Sequence, residues 1–367
     1  MSRKRQGSHS SKPKRMSVAA MILLDVLAIG IGLVVFALFH HVLPTYFGFG
    51  VKKSEPVVLA TLPPQTAVSL EPTAAPAQSE GTETEEAEPT PEPTPTRVYS
   101  GVWGEKFADK FTEGEVIQTE NSYRSENVSV TVERVVEDRL VYYVADIYVS
   151  DLKYLGTAFA NGEGNGDYRS GLAEIDAMAK RVNAIVAICG DHYHGRQEGL
   201  IVRNGVLYQE TPFQDVCVLY TDGRMETMTR DELDLEAVKT AGVWQAWSFG
   251  PGLLDAEGHA KTFGDHQANV MGINPQNPRS AIGYYEPGHY CLVEIEGNRA
   301  GCFIGSYGLT LSEMGTLFEQ MGCKCAYNLD GGRSAAIAWM GERINVNYGR
   351  TLSDIIYVTD TPVESEG

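Results

Sequence analysis

The chain has 367 residues, with 48 acidic against 30 basic side chains and a formal charge of −18. Phosphate polymers need a basic face, so this balance excludes nucleic acid as a partner. Small anions stay within reach, because a single local arginine can hold one.

The first fifteen residues carry Arg3, Lys4, Arg5, Lys12, Lys14 and Arg15 and no acid. Residues 16–43 follow as an apolar stretch running through Leu23, Ile29 and Phe36. A span of about 20 apolar residues crosses a bilayer as a helix, and the basic cluster before it stays in the cytoplasm. The reading is a single-pass membrane anchor with an extracytoplasmic C-terminal side; a cleaved signal peptide, with a shorter apolar core, is the competing reading. Asp25 is the one carboxylate inside the stretch, to be held protonated or paired.

Residues 44–97 read as a disordered linker, and from Glu71 to Arg97 they are mostly Pro, Thr, Glu and Ala. Such a segment buries too little apolar surface to fold, and its prolines and like charges extend it. The globular part is then 98–367, a single extracytoplasmic domain. All six cysteines fall in it: Cys189, Cys217, Cys291, Cys302, Cys323 and Cys325. An exported setting permits disulfides. Cys189, Cys217 and Cys291 lie in apolar runs, where cysteine also acts as a small buried hydrophobe. Cys323-x-Cys325 lacks the spacing of a zinc site.

Val128–Val136 and Leu140–Val149 are rich in β-branched and aromatic residues and predict a hairpin turning at Glu137-Asp138. A helical period runs from Ser170 to Val182, and Ala184–Cys189 predicts a buried strand. Asn204-Gly205 and Asp222-Gly223 each join two short strands. Thr229-x-x-Glu232 and Thr310-x-x-Glu313 have capping-box spacing and mark two helix starts. Further strands are expected over 244–249, 281–285, 290–295, 325–329, 335–339 and 354–358. Strands outnumber helices and neighbours join by short turns. This is an α+β fold with a mixed, largely antiparallel sheet core flanked by a few helices.

Three polar stretches follow strand-like runs: Gly190–Arg196, Asn274–Ser280 and Asn328–Ser334. Polar groups on glycine-rich loops at strand ends are a common way to build a site. His192-x-His194, beside Asp191, offers a pair of metal ligands without an identified third. In Asn328-Leu-Asp-Gly-Gly-Arg-Ser334 an amide, an acid, a cation and a hydroxyl surround two glycines. The same letters, set between apolar runs, are also a β-hairpin signal.

These motifs resemble the phosphodiester glycosidase family. The matching segments are Gly190-Asp191, Gly199–Gly205, Trp247–Leu254, Asn277–Gly283, Gly308–Ser312 and Asn328–Ser334, within a core of about 180–358. The chain departs from the family pattern at Cys189 and Arg333, and its Glu296-Gly297-Asn298-Arg299 stands where the family has Asp-Gly-Arg. The layout resembles a membrane-anchored bacterial branch associated with exopolysaccharide biosynthesis.

The resemblance implies hydrolysis of a sugar-1-phosphodiester, of the N-acetylglucosamine-1-phosphodiester kind, in extracytoplasmic glycans or wall polymers. A phosphomonoester leaving group has a second pKa near about 6 and departs more readily than an alcohol. Charge stabilisation then matters more than protonation of the leaving group. On this reading Asp330 and Asp191 are the catalytic carboxylates and Arg279 clamps phosphate. Asn328, Gly331, Gly332, Arg333, Ser334 and His192 line the substrate. No cofactor is required, and a divalent metal on His192 and His194 is the alternative. The partners are a glycan or sugar-phosphate polymer and the membrane. A non-catalytic module that binds anionic wall polymers is the competing function.

Overall fold

In a computed structural model of the chain, the residues described are 17–37, 56–62, 99–162, 168–169, 171–192, 198–212, 215–264, 276–297, 305–346 and 349–363. They fall into two units, 1–53 and 54–367.

Among its described residues the first unit holds one helix, α1 (Val18–Ala37). Its described side chains run from Ile22 to Phe36 and all are exposed. Among the described residues no helix is long and apolar enough to cross a membrane. The membrane span expected over 16–43 is therefore not supported.

The described residues of the second unit form three sheets. The first has six strands in the order β1 (Val57–Val58), β9 (Val206–Thr211), β8 (Gly199–Arg203), β12 (Val243–Trp247), β10 (Val216–Tyr220) and β11 (Met225–Met228). The second has seven: β15 (Cys325–Asn328), β13 (Arg279–Glu286), β14 (His289–Ile295), β5 (Leu140–Val149), β4 (Val128–Glu137), β3 (Ser122–Arg124) and β2 (Ile117–Gln118). The third has five: β17 (Glu342–Arg343), β16 (Ile337–Trp339), β7 (Val186–Cys189), β18 (Asp354–Val358) and β6 (Leu155–Phe159). Every strand pairing among the described residues is antiparallel.

The sheets share one core, because alternate residues of each strand turn the same way. Trp244 and Trp247 enter it from the first sheet, Ile282, Leu292 and Tyr327 from the second, and Ile188, Ile337 and Ile356 from the third. Each such side chain contributes about 1.5–3 kcal/mol by leaving water. The outer face of the second sheet is covered by α4 (Leu311–Gln320), whose Met314 and Phe318 meet Cys291, Val293 and Ile295. The outer face of the third is covered by α2 (Ile175–Arg181) through Ile175, Met178 and Ala179. A short α3 (Leu235–Thr240) lies by the first sheet and buries Val238 there.

The capping box at Thr310–Glu313 forms and starts α4. The one at Thr229–Glu232 starts no helix. Glu232 accepts from the Thr229 amide and hydroxyl, but Asp234 caps α3 instead by accepting the Ala237 amide. The helix read from Ser170 is confined to α2, because Ala173 is bridged to Leu352. The expected spacer also changes in part. Within it, Val57 and Val58 pair with Leu207 and Val206, and the Leu59 and Ala60 amides donate to the Gly205 carbonyl.

Candidate functional site

Strand β7 ends at Cys189 and leads into Gly190-Asp191, where there is no room for a side chain on the glycine. A Cβ on Gly190 would collide with Asp354 Oδ1. The Gly190 amide donates to the Asp354 carbonyl at 3.2 Å, and its own carbonyl accepts the Asp330 amide at 3.0 Å. Gly190 thus joins the start of β18 to the segment after β15.

Asp191 is buried and surrounded by donors. Its Oδ2 accepts from the Ser248 amide at 2.8 Å and from Arg203 Nη2 at 3.4 Å, and its Oδ1 accepts from the His192 amide at 3.1 Å. Its own amide donates to Asp354 Oδ1 at 2.6 Å. Arg203 is buried too, and its Nε and Nη2 both reach Asp354 Oδ2 at 2.8 Å. Its Nη1 donates to the carbonyls of Val202 and Ala246. Two carboxylates therefore share one guanidinium out of solvent, an arrangement that holds only while the charges are paired. Burial pushes Asp354 up to about 6, with Arg203 opposing the shift and the Asp191 charge adding to it.

The Asn328–Ser334 segment forms no hairpin. The strands on either side of it, β15 and β16, lie in different sheets. Between them the chain crosses over the end of β13. The Leu329 amide donates to the Ser280 carbonyl, and the Gly332 amide to the Pro278 carbonyl, each at 2.8 Å. A Cβ on Gly331 would sit 2.8 Å from that same Pro278 carbonyl oxygen, so the close approach requires glycine. Gly332 has a φ of +62° and opens the short turn that buries Ser334.

Asp330 stands at this crossover with its side chain 11 % exposed, and His192 Nδ1 lies 3.7 Å from its Oδ2. Asp330, Asp191 and His192 are thus brought together. Asn328 supports the loop, donating from Nδ2 to the Gly250 carbonyl at 2.7 Å. A Cβ on Gly331 would also come within 3.3 Å of the Arg279 Cα, while Arg279 Nε donates to the Leu309 carbonyl at 2.9 Å. Burial lowers its guanidinium to about 10, opposed by Glu313, so it remains a cation at neutral pH. Arg333 is exposed, while Ser334 Oγ and Asn328 Oδ1 are buried without a hydrogen-bond partner among the described residues. His194 and the Asn298-Arg299 pair lie outside the described residues. Among the described residues no group of three or more His, Cys, Asp or Glu is placed to hold a metal ion.

A second polar group lies under the same loop. Asn345 Nδ2 donates to Glu294 Oε1 at 2.8 Å and to the Ala335 carbonyl at 3.1 Å, while its Oδ1 accepts the Ile337 amide at 3.1 Å. Burial pushes the Glu294 carboxyl well above the usual range, helped by the Glu296 charge and opposed by the Asn345 bond.

Sequence reasoning missed Arg203, Asp354, Ser248 and Glu294 as site residues. The available signal was charge inside apolar strands, in Gly199–Arg203, Asp354–Val358 and His289–Ile295. Which of these charges pair depends on contacts as far apart as Arg203 and Asp354.

Residues 182–359 match the model of the phosphodiester glycosidase family, which points to a glycosidase-type hydrolase domain. The chain is 30% identical over 176 residues to the SPbeta prophage-derived uncharacterized protein YomE of Bacillus subtilis (strain 168), a match over 46% of this chain and 26% of that protein. It thus spans about a quarter of the curated relative it matches. In three dimensions it is similar to the catalytic domain of zebrafish N-acetylglucosamine-1-phosphodiester alpha-N-acetylglucosaminidase, auto-inhibited by its pro-peptide. That likeness has a TM-score of 0.50 at 18% identity and covers 64% of this chain and 83% of the other.

Proposed function

We propose that the domain hydrolyses the bond between the anomeric carbon of a sugar and a phosphodiester oxygen. The observation that carries this reading is the meeting of Asp330 with His192 at 3.7 Å, on loops held by the Gly190 carbonyl. Asp330 is the more accessible of the two predicted carboxylates and is the residue that activates water or attacks carbon. Asp191 is saturated by donors, which suits it to fixing the backbones of His192 and Ser248 around the site. The anomeric carbon–oxygen bond breaks, water supplies the hydroxyl on carbon, the phosphomonoester leaves with the bonding pair, and the proton released by water passes to the phosphate or to solvent. Arg279 is proposed to steady that leaving charge.

The substrate class, an N-acetylglucosamine-1-phosphodiester in a glycan or wall polymer, rests on the family match and on the name of the zebrafish protein. No cofactor enters the scheme. Display outside the cell rests on the order of basic tail, apolar stretch and acidic spacer, and fractionation of cells into membrane and soluble pools tests it.

The decisive measurement is release of free sugar from a sugar-1-phosphodiester by the wild type and by Asp330→Asn, with thermal unfolding recorded for both. Loss of turnover at an unchanged melting temperature supports the proposal. Wild-type-like turnover by the variant removes Asp330 from the mechanism. Polymer binding without any turnover by the wild type favours the non-catalytic module.

A further inference from the structure

We propose that Cys291 and Cys323 are a dithiol that closes to a disulfide, fastening α4 to the second sheet. Cys291 lies on β14 and faces outward, away from the shared core. Cys323 follows α4 after Gly322, and its amide donates to the Phe318 carbonyl at 3.1 Å. Both side chains are buried, and their Sγ atoms are 3.8 Å apart. A disulfide needs about 2.05 Å between sulfurs, so closure draws the two sulfur atoms together by rotation about the Cα–Cβ bonds.

The surroundings make room for the pair. Gly283 stands opposite Cys291 on β13, and a Cβ there would lie 2.6 Å from Cys291 Sγ. The Tyr285 hydroxyl borders both thiols. A metal is the other common use of two facing thiols. It requires thiolates and further ligands. Burial pushes the Cys291 thiol up, and among the described residues no third His, Cys, Asp or Glu completes a metal-binding group. Cys325, two residues on, belongs instead to the shared core, where it meets Cys217.

The oxidant is a small-molecule disulfide such as oxidised glutathione. One cysteine thiolate attacks it, forming a mixed disulfide and expelling one glutathione thiolate. The second cysteine then attacks the mixed disulfide, forming the Sγ–Sγ bond and expelling the other glutathione. Two thiol protons go to water, and two electrons end on glutathione. Because the thiols are buried, the exchange proceeds during folding or local opening. The closed loop spans residues 291–323 and includes Leu309, whose carbonyl holds Arg279 Nε.

The test is to refold the full chain in oxidised or in reduced glutathione, alkylate, digest and map the cysteines by mass spectrometry. The expected result is a linked peptide joining Cys291 to Cys323, lighter by two hydrogens than the reduced pair. The melting temperature should rise by about 5–10 °C on oxidation. That rise should vanish in both Cys291→Ser and Cys323→Ala, two variants of which one suffices if the other fails to fold. Full alkylation of both cysteines after oxidative refolding, or linkage of either to another cysteine, overturns the proposal. These readouts need no substrate, so they are independent of the hydrolase reading.

Discussion

Asp354 and Arg203, far apart in sequence, are joined by two 2.8 Å contacts from one guanidinium to a single carboxylate oxygen. The other oxygen of Asp354 receives the Asp191 amide at 2.6 Å. Asp354 is thus the hinge between a buried cation and the backbone that presents the site. Arg203→Ala leaves two buried carboxylates without their cation and should cost about 3–5 kcal/mol, measured by chemical denaturation at pH 7.

The titration of Asp354 gives that hinge a pH signature. Its folded value, about 6, lies above the ordinary carboxylate value near 3.9, so the folded state binds the proton more tightly. Its contribution to stability is complete below about pH 4, and is lost as pH rises through about 6. Asp354→Asn should flatten the stability curve between those limits, by about 1–3 kcal/mol across the window. An unchanged slope in denaturation series at pH 4 and 7 would contradict this assignment.

Gly190→Ala should abolish activity while Gly264→Ala leaves it intact. The new methyl at 190 displaces the Asp354 carboxylate, whereas a Cβ at 264 meets nothing within 4 Å. Sugar release and melting temperature, recorded for both variants, check the contrast.

Glu294 makes a separate prediction. Its folded value is raised, so its contribution is fully present below about pH 4.3 and declines as pH climbs toward the folded value. Glu294→Gln keeps an acceptor for Asn345 and removes the titration. At pH 8 the variant should be more stable than wild type by about 1–3 kcal/mol, with a smaller difference at pH 5. Denaturant midpoints at the two pH values decide it.

Deleting residues 1–62 should lower stability by about 2 kcal/mol, because Leu59 and Leu62 pack on the clusters beneath the first sheet. It also bares the β9 edge, and unpaired edges invite association. Thermal unfolding together with size-exclusion chromatography reads both effects.

The local elements were legible because their signals are local. The 128–149 hairpin, the Asn204-Gly205 turn and the Thr310 capping box all form as their residues dictate. The Asn328–Ser334 segment was ambiguous because Asp-Gly between apolar runs fits a hairpin and a crossover equally. Only the pairing of β15 with β13, and of β16 with β7, distinguishes them. In the same way, Asp330 and Asp191 stood out by their glycines, while Arg203 and Asp354 resembled isolated charges in apolar strands. Their meaning arises from a contact between two sheets.

The outer strands of the fold bear on where the working unit begins. Within the second sheet β14 pairs along its length with β5, and within the third β18 pairs with β6. Both β5 and β6 precede residue 182, the start of the family match. A fragment trimmed to 182–359 would lack those partners and leave β14 and β18 open along one side. The smallest autonomous piece of this protein is therefore larger than its recognisable motifs, and gene truncations meant to isolate the hydrolase should begin upstream of β4.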